Sequence, residues 1–416
     1  MGVLLLLVVC PATMGCLKRG DTTSSLRSGS QAASTPTLAP APTPRACAAE
    51  KDPKVFVTSV IQDLASRQPT SDEIALADKN FSPENFVDSI LISPIFDDAI
   101  TRFIGNLFRL NDITPVSKNN KEAAAEAALI ADLKQEPVIF ALRNKDRPWK
   151  TLFTSQDIYC TENTAKLYDF PLINTPGFVA CRLPPERAGF LGMVSVLRAM
   201  SPTANPQAFY RPNNNYHRAA ATVYFTTGIQ MQANTNGPKG EGEIVPMADC
   251  APTDDMREAK GGLVHGAAAI PLVGQACSAC HSPHMGPVSV AFRRFGTVGE
   301  LLKLKDVETI AAEPSNATSI GDLKAILSNN RSCWSPDGKA PPSEFFGEPG
   351  LGKVIAASTT LGHALGVQLP QHLSNRKPTE GMISDVERNY KAQGETLRAA
   401  MRGYLLSPDY RCDRVL

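Results

Sequence analysis

Ser82-Pro83-Glu84 and Ser93-Pro94 each set a serine directly before a proline at the head of an apolar stretch. A serine oxygen caps the first free amides of a helix, and a proline at the first helical position has no amide to leave unsatisfied. Just upstream, Val57, Val60, Ile61 and Leu64 recur at helical spacing. These signals predict two short helices followed by a longer one over about Pro94–Arg109. Lys121–Leu142 is rich in Ala, Glu, Leu and Lys and adds a helix on propensity alone. Further helices are expected at Pro185–Met200, Tyr216–Thr227, Ser319–Leu327, Gly352–Leu365 and Ile383–Leu405. Nothing before residue 200 alternates convincingly at period two. The expected fold class is therefore mainly α, with multi-helix domains joined by long irregular loops rich in Pro and Asn.

A chain of 416 residues with 43% hydrophobic content can bury a real core. Its 42 Lys and Arg nearly balance 41 Asp and Glu. No global field draws it to nucleic acid, so nucleic-acid binding is not expected.

Val3–Val9 is an unbroken apolar run, too short to span a bilayer but suited to the h-region of a signal peptide. Ala12-Thr13-Met14-Gly15-Cys16 comes next and resembles a bacterial lipobox, which makes Cys16 the expected site of lipidation. Thr13 stands where Leu is usual, and the n-region lacks Lys and Arg; the plainer alternative is a cleaved signal peptide. From Leu17 to about Pro44 the chain is Ser, Thr, Ala and Pro, a composition that cannot offset its own ordering entropy. The expected organisation is a signal peptide over 1–16, a disordered tether over 17–46, an N-terminal helical domain over 47–183, a cofactor-binding module over 184–305 and a C-terminal helical module over 306–416.

The stretch with the most chemistry is Cys277-Ser278-Ala279-Cys280-His281. In the pattern C-x-x-C-H, two thiols reach the two vinyl groups of a haem and the adjacent imidazole sits under the iron. At this chain's own residue frequencies the pattern arises by chance roughly 0.003 times. The reading is one covalent haem c on Cys277, Cys280 and His281, with His281 as axial iron ligand, in a cytochrome c-like module. Two alternatives compete with it. A redox disulfide leaves His281 unexplained and lacks a surrounding βαβ pattern. A zinc site would need Cys277, Cys280, His284 and one outside ligand. After the motif, Val288, Phe292 and Phe295 fall at i, i+4 and i+7, one apolar helical face that Gly296 and Gly299 can end.

Between Gly286 and Gly362 there is neither Met nor His to supply a sixth iron ligand. His284 and Met285 lie too close to His281 to reach across the ring. His363, inside a predicted apolar helix, is the first choice, with His372, Met382, Met401, His265, Met256 and Met247 as further candidates. An unligated iron would be five-coordinate and open to small molecules.

Of ten cysteines, Cys10 falls in the signal, Cys16 takes lipid and two take haem. Cys47, Cys160, Cys181, Cys250, Cys333 and Cys412 remain, an even set for disulfides in an oxidising compartment, with 15 possible connectivities. Cys160 with Cys181 is the favoured local pair. No general acid/base pair, Ser-His-Asp arrangement or phosphate loop stands out. Asp254-Asp255 reads as a polar turn and Gly237-Pro238-Lys239-Gly240 as a loop.

Several of these stretches resemble the multi-domain planctomycete-type cytochromes of planctomycetes and myxobacteria. They are Arg147–Phe153 with Tyr168; Arg187–Gly192; Cys277, Cys280 and His281 with Pro287, Phe292, Phe295 and Gly299; and Leu361–Gly366 with Ser407–Tyr410. The likeness spans most of the chain after the tether. It departs at Gly286, where the group has Asp, and at His363, where it tends to have an aromatic. It implies the domain order and a bound haem, and no substrate. The expectation is a lipid-anchored mono-haem electron carrier of the bacterial envelope, an outer-membrane lipoprotein working with a redox partner protein. A haem enzyme with an open distal site and a zinc-holding structural or binding lipoprotein are its rivals.

Overall fold

In a computed structural model, residues 51–78, 80–113, 120–171, 175–201, 212–230, 285–296, 298–303, 330–338 and 342–412 are described. The described residues are mainly helical. In chain order the helices are α1 (Pro53–Ala65), α2 (Ser71–Ala75), α3 (Pro83–Leu91), α4 (Pro94–Leu107), α5 (Asn120–Arg143), α6 (Glu162–Leu167), α7 (Gly189–Gly192), α8 (Val194–Ala199), α9 (Pro212–Thr227), α10 (Gly286–Ser289), α11 (Gly347–Ala357), α12 (Leu361–Ser374), α13 (Glu380–Ala392), α14 (Leu397–Leu406) and α15 (Pro408–Arg411). Two antiparallel hairpins join them, β1 (Asp157–Cys160) with β2 (Val179–Arg182) and β3 (Arg331–Trp334) with β4 (Ser343–Phe346). Among the described residues, no helix is long and apolar enough to cross a membrane.

The early helices start where their caps dictate. Asp52 accepts from the Lys54 amide at 2.9 Å, Ser82 from Asn85 at 3.2 Å and Ser93 from Ile95 at 3.2 Å. Their apolar stripes, Val57, Val60, Ile61 and Leu64 on α1 and Phe96, Ile100, Phe103 and Ile104 on α4, are fully buried. Helices α12, α13 and α14 pack against one another, and α12 also lies on α4 and α9. One continuous core runs from Phe56 to Tyr410 and draws on 47–183, 184–305 and 306–416 alike, within the unit Arg45–Leu416.

Three predicted helices are each two. Pro185–Met200 is interrupted at Met193, whose extended backbone (ψ 133) separates α7 from α8. Gly352–Leu365 breaks at Ser358–Thr360, where the Thr360 hydroxyl donates to the Thr226 carbonyl at 2.6 Å and ties the turn to the end of α9. Ile383–Leu405 breaks at Gly394 (φ 77) and Glu395 (φ 57), after which Thr396 caps α14 by accepting from Ala399 at 3.1 Å. In each case a tertiary contact or a left-handed residue overrides continuous helical propensity. The expected helix at Ser319–Leu327 lies outside the described residues.

The hairpins carry no readable alternation because each leg is only four residues. Cys160 and Cys181 are joined across β1 and β2, Cα–Cα 6.0 Å. Cys333 and Cys412 each take part in a disulfide as well. Replacing Cys160 and Cys181 together by Ser should lower stability by about 3 kcal/mol, from the loop entropy returned to the unfolded chain. Urea unfolding of the two forms without reductant measures this, and equal midpoints would refute it.

Gly189 shows why a side chain is excluded at the head of α7. Its φ is 50, and a Cβ there would collide with the Leu152 carbonyl.

Candidate functional site

Cys277, Cys280 and His281 lie outside the described residues, as do Cys16, Cys47, Cys250, His265, His284, Met247 and Met256. The described chain resumes at Met285, four residues after His281. From there to Leu301 the backbone is closely held. Val288, Phe292 and Phe295 are all buried, so the predicted apolar face exists, but the helix that carries it is shorter than expected. Helix α10 gives way to a 3-10 turn over Val290–Phe292, and Phe295 pairs with Leu301 as an isolated bridge.

Two buried arginines account for that early ending. Arg218, on α9, donates from Nη1 to the Phe295 carbonyl at 3.1 Å, from Nη2 to Gly296 at 2.7 Å and from Nε to Leu197 at 3.3 Å. Arg187 donates to Gly192 at 2.8 Å and to Gly299 at 2.7 Å, with its guanidinium 4.8 Å from the ring centre of Phe295 and 5.3 Å from that of Tyr168. A planar fork can satisfy several carbonyls at once, so the backbone after the motif is fixed by side chains instead of by helix.

Beside this clamp is a buried polar cluster. Glu136, on α5, accepts from the Tyr168 hydroxyl at 2.8 Å and the Ser195 hydroxyl at 2.6 Å, and the Tyr168 oxygen accepts from the Val194 amide at 2.9 Å. Burial pushes the Glu136 carboxyl up to about 7 against the pull of those two donors. Glu348 is held well above the usual carboxylate range by burial, with its Oε2 accepting from Ala188 at 2.7 Å. Near neutral pH the Glu136 carboxyl carries a proton much of the time, which puts a donor as well as an acceptor in the core.

A cavity of about 800 Å³ lies between α4, α8, α9 and α12. Leu107, Phe108, Met200 and Phe225 give it apolar walls. His217 and Tyr224 reach it from α9, and His372 from α12. The Tyr224 oxygen is 2.9 Å from His372 Nε2 and donates to Gln371 Oε1 at 2.6 Å. Burial lowers His372 to about 4 and also lowers His217, so both rings are neutral and keep a lone pair at physiological pH. Arg109, Arg376 and Lys377 line the edge, and no carboxylate is among its described lining residues. Asp112 and Asp63 pair with the first two arginines from outside it. Neutral imidazoles, apolar walls and a cationic edge are a donor set that fits a haem and its carboxylates.

A second cleft, of about 540 Å³, lies along the post-motif segment at Ala291, Arg294 and Phe295. Its described lining contains no His or Met.

His363 also lies on α12, but on its exposed side, nine residues before His372 and so half a turn around the helix. It does not line the cavity. Met382 and Met401 are fully buried in the core. His217, Arg218 and Glu136 do not stand out in the sequence, although two of them leave a signal there. Glu136 falls between Leu133 and Phe140, and Arg218 falls among Asn215, Ala219 and Thr222, each a charged residue on a buried helical face. His217 has only its spacing of seven from Tyr224.

Compared with family models, curated proteins and solved structures, the chain matches none.

Proposed function

We propose that this chain is an exported, lipid-anchored mono-haem c-type cytochrome that carries electrons in the bacterial envelope. The single observation that carries this reading is Cys277-x-x-Cys280-His281, in which each residue has its own part in attaching the porphyrin and ligating the iron. The haem supplies one-electron exchange when bound. The chain's part is to hold it and to exclude water from all but an edge.

Three features support the reading. The likeness to planctomycete-type cytochromes covers the motif and its flanks. The Cys160–Cys181 disulfide suits an oxidising compartment, as does the disulfide state of Cys333 and Cys412. The segment after the motif is anchored at Phe295, Gly296 and Gly299 by Arg187 and Arg218. Cys16 is the proposed lipid attachment, with the Ser/Thr/Pro tether setting the folded part off the membrane and a redox partner protein as its counterpart.

Expression in a host competent in cytochrome c maturation tests this. The intact mass should exceed that of the processed polypeptide by one porphyrin, a pyridine haemochrome should form, and Cys277→Ala with Cys280→Ala should abolish both. A polypeptide with no added porphyrin, carrying zinc by metal analysis, would refute the cytochrome and leave the zinc lipoprotein.

A haem enzyme with an open distal site is the second reading, and it would suit the cleft at Ala291, Arg294 and Phe295, whose described lining holds no His or Met. Ready binding of carbon monoxide by the reduced wild-type protein would select it.

A further inference from the structure

Where α9 and α12 meet beside the 800 Å³ cavity, the contact is polar and sets the tautomer of a histidine. The Tyr224 hydroxyl gives its one proton to Gln371 Oε1 at 2.6 Å. It also lies 2.9 Å from His372 Nε2, and with its proton already given it accepts there. The ring proton of His372 therefore sits on Nε2, and Nδ1 is the nitrogen with the lone pair. Burial lowers this ring to about 4, so at neutral pH no second proton covers that lone pair.

The imidazole is also fixed in place. Asn106, on α4, donates to the His372 carbonyl at 2.8 Å, and the ring stands edge-on to Phe103 at 6.2 Å and to Tyr224 at 6.0 Å. Among the described residues no donor meets Nδ1. A prepositioned acceptor of this kind, on a residue that lines a cavity, is met by a donor that the cavity admits. The walls narrow the choice of donor. Phe108 and Phe225 meet edge to face at 4.7 Å, and Leu107 and Met200 lie with them, surfaces that suit the face and edge of a flat ring. A metal ion finds no set of three His, Cys, Asp or Glu among the described residues. An aliphatic chain would satisfy the walls and leave Nδ1 unmet.

We infer that this cavity binds an aromatic alcohol, of the phenol or hydroquinone class, whose hydroxyl donates to His372 Nδ1 while its ring lies against Phe108, Phe225 and Met200. Tyr224 is a positioning residue, since it holds the ring nitrogen that the ligand does not touch. The inference goes beyond the electron-carrier reading and does not depend on it, because every group it uses lies on α4, α8, α9 or α12.

The test titrates the full chain with 2-naphthol, followed by its fluorescence, and with 2-methoxynaphthalene, which has the same rings and no hydroxyl proton. Wild type should bind naphthol at one site and the methyl ether about tenfold more weakly, the worth of one hydrogen bond to an acceptor otherwise left unpaired. His372→Phe keeps a ring against Phe103 and Tyr224 and should erase that preference by weakening naphthol alone. Met200→Trp fills the cavity and should weaken both compounds. His363→Ala, on the exposed side of α12, should change neither. Equal affinity of wild type for the two compounds, no binding of naphthol, or a preference retained by His372→Phe would each overturn the inference. The wild-type comparison needs no variant, so it decides the matter even where a substituted chain fails to fold.

Discussion

Arg218→Met should be among the most damaging single substitutions in this protein, lowering stability by about 3–5 kcal/mol. The methionine fills much of the same space but removes the hydrogen bonds together with the charge that acts on the buried Glu300 carboxyl. The Phe295 carbonyl loses the Arg218 donor, and those of Leu197 and Gly296 are left with Ser201 Oγ and the Gly299 amide as donors. Water cannot replace it at a residue with no exposed surface. Arg218→Lys should recover only part of the loss, because an ammonium group lacks the fork that spans two successive carbonyls. Urea unfolding monitored by circular dichroism gives the midpoints; a shift worth less than about 1 kcal/mol for Arg218→Met would refute the clamp.

The second large effect is one of pH. Glu136 titrates near its ordinary value in the unfolded chain and at about 7 when folded. Between those values the native state binds more protons than the unfolded state, so stability falls as pH rises through that window. Below it the carboxyl is neutral in both states and costs nothing; above about pH 7 the penalty levels off. The integrated change is on the order of 3 kcal/mol. Glu136→Gln keeps the shape and can still meet Tyr168 and Ser195, but it does not titrate. The stability of wild type relative to Glu136→Gln should therefore decline from pH 5 to pH 8 and then hold steady. Parallel pH profiles for the two proteins would mean that Glu136 stays ionised in the core. Glu348 contributes in the same direction, so some decline should persist in Glu136→Gln itself.

How much of the fold is legible in the residues varies by element. Caps and helical periods are legible at α1, α3 and α4 because the signal and the structure it specifies lie within one or two turns of each other. The interruption between α13 and α14 is half legible. Gly394 is visible in the sequence, but the left-handed turn it enters with Glu395 is fixed by packing, including the Trp149 amide that donates to the Glu395 carbonyl at 2.7 Å. The hairpin at β1 and β2 is invisible as strand and visible only through its cysteines. The candidate site divides in the same way. The motif and the apolar face after it can be read directly, whereas the carbonyls that Arg187 and Arg218 hold cannot.

By itself the sequence determined the helical class and the starts of the capped helices, and it carries the Cys277-x-x-Cys280-His281 motif, since each is written in residues a few positions apart. The tertiary structure alone decided that His372 meets Tyr224 across 148 positions and that Arg218 meets Phe295 across 77. Such contacts have no local code. They exist only once the apolar faces of α4, α9 and α12 are buried together, and burial then requires the polar groups caught among them to find partners from whichever segments packing has brought near.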